Sequence, residues 1–173
     1  NCMTTPTVGS FLFDYIKSKG AAHVFGIPGD FALPTFRWLQ QSGLGIITLT
    51  HEPSVGFAAD GYARVHGFGV ALVTYSVGAL NMLNSVACAY AEKSPLLVIS
   101  GGPSPADRKA DGLLHHKVRT FDTQRRIYEE VTVANAVLND PETAAAEIMR
   151  VVGAVLEHCR RGCPEVPYDI VDM

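Results

Sequence analysis

The chain reads as an α/β protein, a parallel sheet of about six strands with helices on both faces. Three observations lead there. Apolar runs of strand length alternate with helical stripes from one end of the chain to the other. Two of the runs, 70–74 (VALVT) and 96–100 (LLVIS), are almost continuously apolar, the pattern of strands buried on both faces. Hydrophobic residues make up 47% of the 173 positions against 18% charged, enough to fill one sizeable core. Residues 1–173 are therefore expected to form one domain, with 1–6 as a flexible or cloning-derived leader that includes Asn1-Cys2 ahead of Met3.

The elements follow in order. Val8, Phe11, Leu12, Tyr15 and Ile16 form a helical stripe, which Gly20 stops after Lys19. Residues 23–27 read as a strand closed by Pro28-Gly29-Asp30, and 31–41 as a helix with Pro34 in its first turn. A strand at 46–50 leads to His51-Glu52, and Pro53 opens a helix over 53–66 whose face is Val55, Ala58, Ala59 and Tyr62. After the 70–74 strand, 79–93 reads as one helix with Cys88 packed within it, followed by the 96–100 strand. From Ser104 to Arg126 the pattern dissolves into Pro, Asp, Gly and charge, a long loop of a length that is more often functional than accidental. Strand character returns at 131–137. Asp140-Pro141-Glu142 then caps a helix with the face Ala145, Ile148, Met149, Val152, Val155 and Leu156, Gly162 ends it, and 166–171 is a last strand.

Composition narrows the function. A formal charge of −3, with no basic run beyond Arg125-Arg126 and Arg160-Arg161, argues against a nucleic-acid or anionic-membrane partner. No Lys or Arg precedes Lys17, and no apolar run reaches membrane-spanning length. The four cysteines, Cys2, Cys88, Cys159 and Cys163, lack zinc-finger spacing and read as reduced thiols in a cytoplasmic protein.

Four stretches carry candidate chemistry, each beside a plainer reading. Glu52 stands at a strand-to-helix junction, where open α/β sheets place ligands, or is simply a helix cap. Gly26-Ile27-Pro28-Gly29-Asp30 is a phosphate cradle without the usual nucleotide-loop spacing, or an ordinary turn with Asp30 capping the next helix. His115-His116 is a proton-donor pair or a solvated one. No third ligand is spaced to make it a metal site, so none is expected. The small polar stretch Thr74-Tyr75-Ser76-Val77-Gly78 lines a ligand or turns the chain.

Together, GIPGDF, HEPSVGFAADGYAR, VTYSVGALN, AEKSPLLVISG and LLHHKVRTFDTQ resemble the pyrimidine-binding domain of thiamine-diphosphate-dependent 2-oxo acid decarboxylases. The likeness runs from about Thr7 to Asp172. Asp30 with His115-His116 resembles the pyruvate, indolepyruvate and phenylpyruvate branch rather than acetolactate synthases, and GIPGDFALPTF with HHKVRTFDTQ is most like the aryl-pyruvate enzymes.

The resemblance implies that Glu52 bonds ring nitrogen N1′ of the aminopyrimidine and so activates the cofactor to attack the ketone carbon of a 2-oxo acid. Carbon dioxide leaves and an aldehyde is released. It implies that Asp30, His115 and His116 move protons, and that Pro28, Gly29, Thr74, Gly78 and Asn81 join Glu52 around the cofactor. Thiamine diphosphate and Mg²⁺ are the implied cofactors. The Gly-Asp-Gly anchor for the metal and diphosphate does not occur here, because Gly29-Asp30 is followed by Phe31. The diphosphate-binding domain is thus an expected partner, supplied by a longer polypeptide rather than a separate subunit, and the isolated chain is expected to be inactive. Self-association is expected through the 53–66 and 79–93 helices, whose Gly56, Gly61 and Ala87 permit close approach.

Overall fold

The computed structural model describes residues 6–157 and 162–173. Residues 1–5 of the expected 1–6 leader, with Cys2, and residues 158–161, with Cys159 and Arg160-Arg161, lie outside the described residues.

Six strands form one sheet. They are β1 (His23–Gly26), β2 (Gly45–Thr48), β3 (Gly69–Val73), β4 (Leu96–Gly102), β5 (Ala134–Val137) and β6 (Gly162–Pro167). Their spatial order is β2-β1-β3-β4-β6-β5, and every neighbouring pair is parallel. The chain steps outward from β1 to β2 and then returns to lay β3 on the other side of β1. The strand order therefore switches direction between β1 and β3. In open α/β sheets the carboxyl ends of the strands at such a reversal are where ligands bind.

Alternation along β3 and β4 explains their apolar runs. Val70, Leu72, Leu97 and Ile99 point into one core layer, and Ala71, Val73, Leu96 and Val98 into the other. The first layer is closed by α1 (Val8–Ser18), α2 (Leu33–Gln41) and α8 (Pro141–Glu157). The second is closed by α3 (Glu52–His66), α5 (Leu83–Ala91) and α7 (Thr123–Glu129). Thr7 and Ser10 form a capping box at the start of α1, and left-handed Gly67 (φ +84°) ends α3.

Several boundaries differ from the sequence reading, each for a local reason. A 3₁₀ turn at Asp30–Ala32 precedes α2, and α3 begins at Glu52 itself, with Pro53 second. The expected 79–93 helix is two: α4 (Val77–Asn81) and α5, broken at Met82. The expected 104–126 loop holds α6 (Pro105–Ala110), capped by a Ser104–Asp107 box, and the start of α7. The last strand spans Gly162–Pro167, and 170–172 is a 3₁₀ turn. Gly162 is thus strand, not helix stop. The buried face of α8 is Ala144, Ile148, Val151, Val152 and Val155, with Met149 outside. Cys88 is exposed on α5, whereas Cys163 is buried, and both are free thiols. Gly56 is spent within the fold, since a Cβ there would run into Ser85 Oγ on α5. Gly61 faces open space. Among the described residues, no helix is long and apolar enough to cross a membrane.

Candidate active site

The site is built where β1, β2 and β3 end. His51 is extended (φ −152°, ψ 133°) and turns the chain from β2 into α3, so Glu52 is the first helical residue. Its carboxylate meets the positive end of that helix, and Pro53 forfeits no hydrogen bond in the first turn. Glu52 is half-buried. Asn81, at the last turn of α4, donates from Nδ2 to Glu52 Oε2 at 2.6 Å. Oε1 has no hydrogen bond among the described residues, and a Cβ on Gly78 would stand 3.7 Å from it. The bare backbone of Gly78 therefore leaves space beside the second carboxylate oxygen.

Thr74 joins this corner to the next. Its side chain lies against both Gly29 and Gly78, where a Cβ would come within 2.6 Å and 2.9 Å of it. Thr74 Oγ1 is buried and has no hydrogen-bond partner. Most buried hydroxyls are satisfied, so an orphan at a ligand-binding edge is one a ligand's polar atom would complete. Pro28 is exposed just before Gly29.

The second corner is the Asp30–His115 pair. Asp30 opens the 3₁₀ turn after β1, and its Oδ2 lies 2.9 Å from His115 Nε2. Phe31 carries both imidazoles. His115 stacks on its ring at 4.9 Å, His116 tilts against it at 5.9 Å, and the two histidines meet edge to face at 4.6 Å. His116 is held at φ +68°, and its buried Nδ1 has no partner. A cleft of about 290 Å³ opens here, lined by Asp30, Phe31, Asp107, Leu114, His115 and Tyr168. Asp107 is held below the usual carboxylate range, chiefly by the Ser104 hydroxyl. No hydrogen bond joins Glu52 to the Asp30–His115 pair. Thr74 bridges the turns that carry them.

Sequence reasoning missed the layer behind these turns. Glu165 on β6 is buried and paired with Arg108 of α6. Its carboxyl is pushed up to about 7, first by burial and further by Asp122, against the opposing pull of Arg108 and Arg125. Gln124 is buried between Glu165 and Ser76. Tyr75, whose hydroxyl donates to Phe121 O at 2.8 Å, is pushed up to about 12 by burial. The one available signal was a charged residue inside an otherwise buried strand, Cys163-Pro164-Glu165-Val166. No group of three metal-ligating side chains occurs among the described residues.

These features define a ligand-binding α/β domain that sets an amide-held carboxylate and a histidine–aspartate pair at the switch point of a parallel sheet. Comparison with known proteins supplies the family. The chain belongs to the thiamine pyrophosphate enzyme family, matching its N-terminal TPP binding domain over residues 6–125. It is 52% identical over 159 residues to indole-3-pyruvate decarboxylase of Azospirillum brasilense, covering 91% of this chain and 29% of that protein. It is 37% identical over 169 residues to pyruvate decarboxylase of Aspergillus parasiticus, covering 96% and 29%. It is 36% identical over 157 residues to pyruvate decarboxylase 1 of Arabidopsis thaliana, covering 89% and 26%. The chain thus spans under a third of the length of these relatives.

Proposed function

We propose that this chain is the pyrimidine-binding domain of a thiamine-diphosphate-dependent 2-oxo acid decarboxylase, with indolepyruvate or phenylpyruvate as preferred substrate. The observation that carries the reading is the Glu52 corner. One carboxylate oxygen is tied by Asn81 at 2.6 Å, the other faces the space left by Gly78, and Thr74, whose methyl packs against that glycine, has its unpartnered hydroxyl beside Gly29. That is a cradle for a flat heterocycle with a basic ring nitrogen, and the donor set suits an aminopyrimidine. The 52% identity to an indole-3-pyruvate decarboxylase supports the aryl preference.

When bound, thiamine diphosphate supplies the nucleophilic carbon and the electron sink for loss of carbon dioxide. In this reading Glu52 would offer Oε1 to the pyrimidine ring nitrogen, with Asn81 holding the carboxylate by its other oxygen. Pro28 and Gly29 form the floor beside Thr74. Asp30 holds one nitrogen of His115 at 2.9 Å, which orients the imidazole and leaves its other nitrogen to carry a proton toward substrate. His116 keeps its ring against Phe31 on the same side. The diphosphate and Mg²⁺ are held by a domain outside this chain, and free thiols at Cys88 and Cys163 suit a cytoplasmic setting. Copies associate through the outer face of α3, where exposed Phe57 and Val65 flank Gly61. Light scattering showing only monomer would contradict that arrangement.

The test is the complete polypeptide carrying this chain, loaded with thiamine diphosphate and Mg²⁺ and given indolepyruvate, phenylpyruvate and pyruvate in turn. The expected result is aldehyde release with kcat/KM about tenfold or more in favour of the aryl acids, a margin one well-filled apolar pocket can supply. Absence of aldehyde from all three, or a carboligation product in its place, would refute the reading.

A further inference from the structure

The segment that carries Gly78 and Asn81 is gripped from behind by a single helix. Gln124 and Tyr128 sit one turn apart on α7, so both face the same way. Gln124 is 1% exposed and Tyr128 0%. Gln124 Oε1 accepts the Ser76 backbone N–H at 2.6 Å, and Tyr128 donates its hydroxyl to Ala79 O at 2.6 Å. Ser76 lies at φ +54°, ψ −88°, a conformation that L residues rarely hold without help. The buried N–H it presents there has Gln124 as its acceptor.

The orientation of the Gln124 amide is itself determined. A backbone N–H can only donate, so the amide oxygen must face Ser76, and Nε2 is left pointing at Glu165 Oε2, 3.5 Å away. Glu165 is held in turn by Nη2 of Arg108, whose Nη1 reaches Asp122 Oδ1 at 3.7 Å and donates to Phe121 O at 3.5 Å. The acceptor that Gln124 requires behind it is thus built into β6 and braced by α6.

We propose that Gln124 and Tyr128 are positioning residues, clamping the backbone of 76–79 so that α4 presents Asn81 and the bare surface of Gly78 to Glu52. The catalytic half of this statement rests on the function proposed above; the clamp does not. Neither side chain touches Glu52. They act by fixing the start and middle of a five-residue helix too short to hold its own geometry. Without the clamp, Ser76 relaxes from its positive φ, α4 rotates, and the 2.6 Å bond from Asn81 to Glu52 loses its alignment.

The experiment uses the complete polypeptide with thiamine diphosphate and Mg²⁺, in Gln124→Met, Tyr128→Phe and Gln124→Glu. Backbone hydrogen exchange is read over 75–82 and, as a control, over α1, alongside cofactor affinity and the hydrogen–deuterium exchange rate at cofactor C2. Gln124→Met keeps the volume and Tyr128→Phe removes one atom; each is expected to speed exchange at 76–79 about tenfold or more with α1 unchanged. C2 exchange is expected to slow about tenfold to a hundredfold at little change in affinity, the scale of a misplaced catalytic group.

Gln124→Glu separates a clamp from mere packing. Its carboxylate can accept from Ser76, but its second oxygen then faces Glu165, in surroundings set by Arg108 of α6, Asp122 and Arg125 at the start of α7, Tyr75, and Cys163 of β6. Protection at 76–79 should therefore approach that of the parent at pH 5.5, where one carboxyl holds a proton, and fall at pH 8. Unchanged exchange at 76–79 in Gln124→Met and Tyr128→Phe, loss spread equally over α1, or a pH-independent Gln124→Glu would overturn the proposal. A parent protein that binds no thiamine diphosphate would refute the function instead, and the backbone exchange would still decide the clamp.

Discussion

Replacing Glu165 by Gln should remove a pH dependence of stability that the fold builds into the domain. Glu165 is 2% exposed, and burial pushes its carboxyl up to about 7 despite the Arg108 guanidinium beside it. An unfolded glutamate titrates near 4.3. Between those values the folded chain keeps a proton that the unfolded chain has lost, so unfolding binds fewer protons and stability falls as pH rises. At about 1.4 kcal/mol per pH unit the loss between pH 5 and pH 8 is about 3 kcal/mol from this group. The amide that Glu165→Gln puts in its place has no proton to lose. Urea unfolding of both chains at pH 5, 6, 7 and 8 gives the two curves, and histidine titrations common to both cancel on subtraction. The stability difference should shift by about 3 kcal/mol in favour of the variant across that range. Parallel curves would refute the reasoning and mean that Arg108 already holds Glu165 ionised at pH 5.

Two further outcomes follow from the packing and the site. Gly56→Ala drives a methyl into Ser85 Oγ and Met82 across the α3–α5 contact, and should cost about 1–3 kcal/mol by thermal unfolding; an unchanged melting temperature would show that α5 yields freely. Under the proposed function this chain supplies only the pyrimidine corner, so calorimetry with thiamine diphosphate and Mg²⁺ should show no binding tighter than about 1 mM, a few kcal/mol of contact being offset by the cost of association. Micromolar binding by the 173 residues would place the diphosphate site in this chain.

Much of the fold was legible because burial on two faces leaves a mark that a local reading detects. Val70 through Val73 and Leu96 through Ile99 are apolar at every position since both core layers draw on them. Glu52 was legible for a similar reason, as the residue between a strand end and Pro53. What escaped was non-local. Helix α7 has a polar sequence, TQRRIYE, and its two buried residues, Gln124 and Tyr128, find their partners far along the chain on 76–79 and β6. The Ser104–Asp107 box that starts α6 was visible as a spacing but stood in a stretch dominated by Pro, Gly and charge. Strand β6 was displaced in the sequence reading because Glu165 interrupts its apolar run, and the Arg108 that accommodates it lies 57 residues away. Asn81 and Glu52 are 29 residues apart, too far for spacing to reveal their bond.

The most direct measurement is the rate of hydrogen–deuterium exchange at C2 of thiamine diphosphate bound to the complete polypeptide, with Glu52 and with Glu52→Gln. A carboxylate that engages the pyrimidine nitrogen accelerates that exchange, so the variant should be slower by about a hundredfold or more, as for loss of a positioned acid–base group, with the melting temperature of the apoprotein unchanged. Equal rates in the two proteins would remove Glu52 from the chemistry and contradict the account.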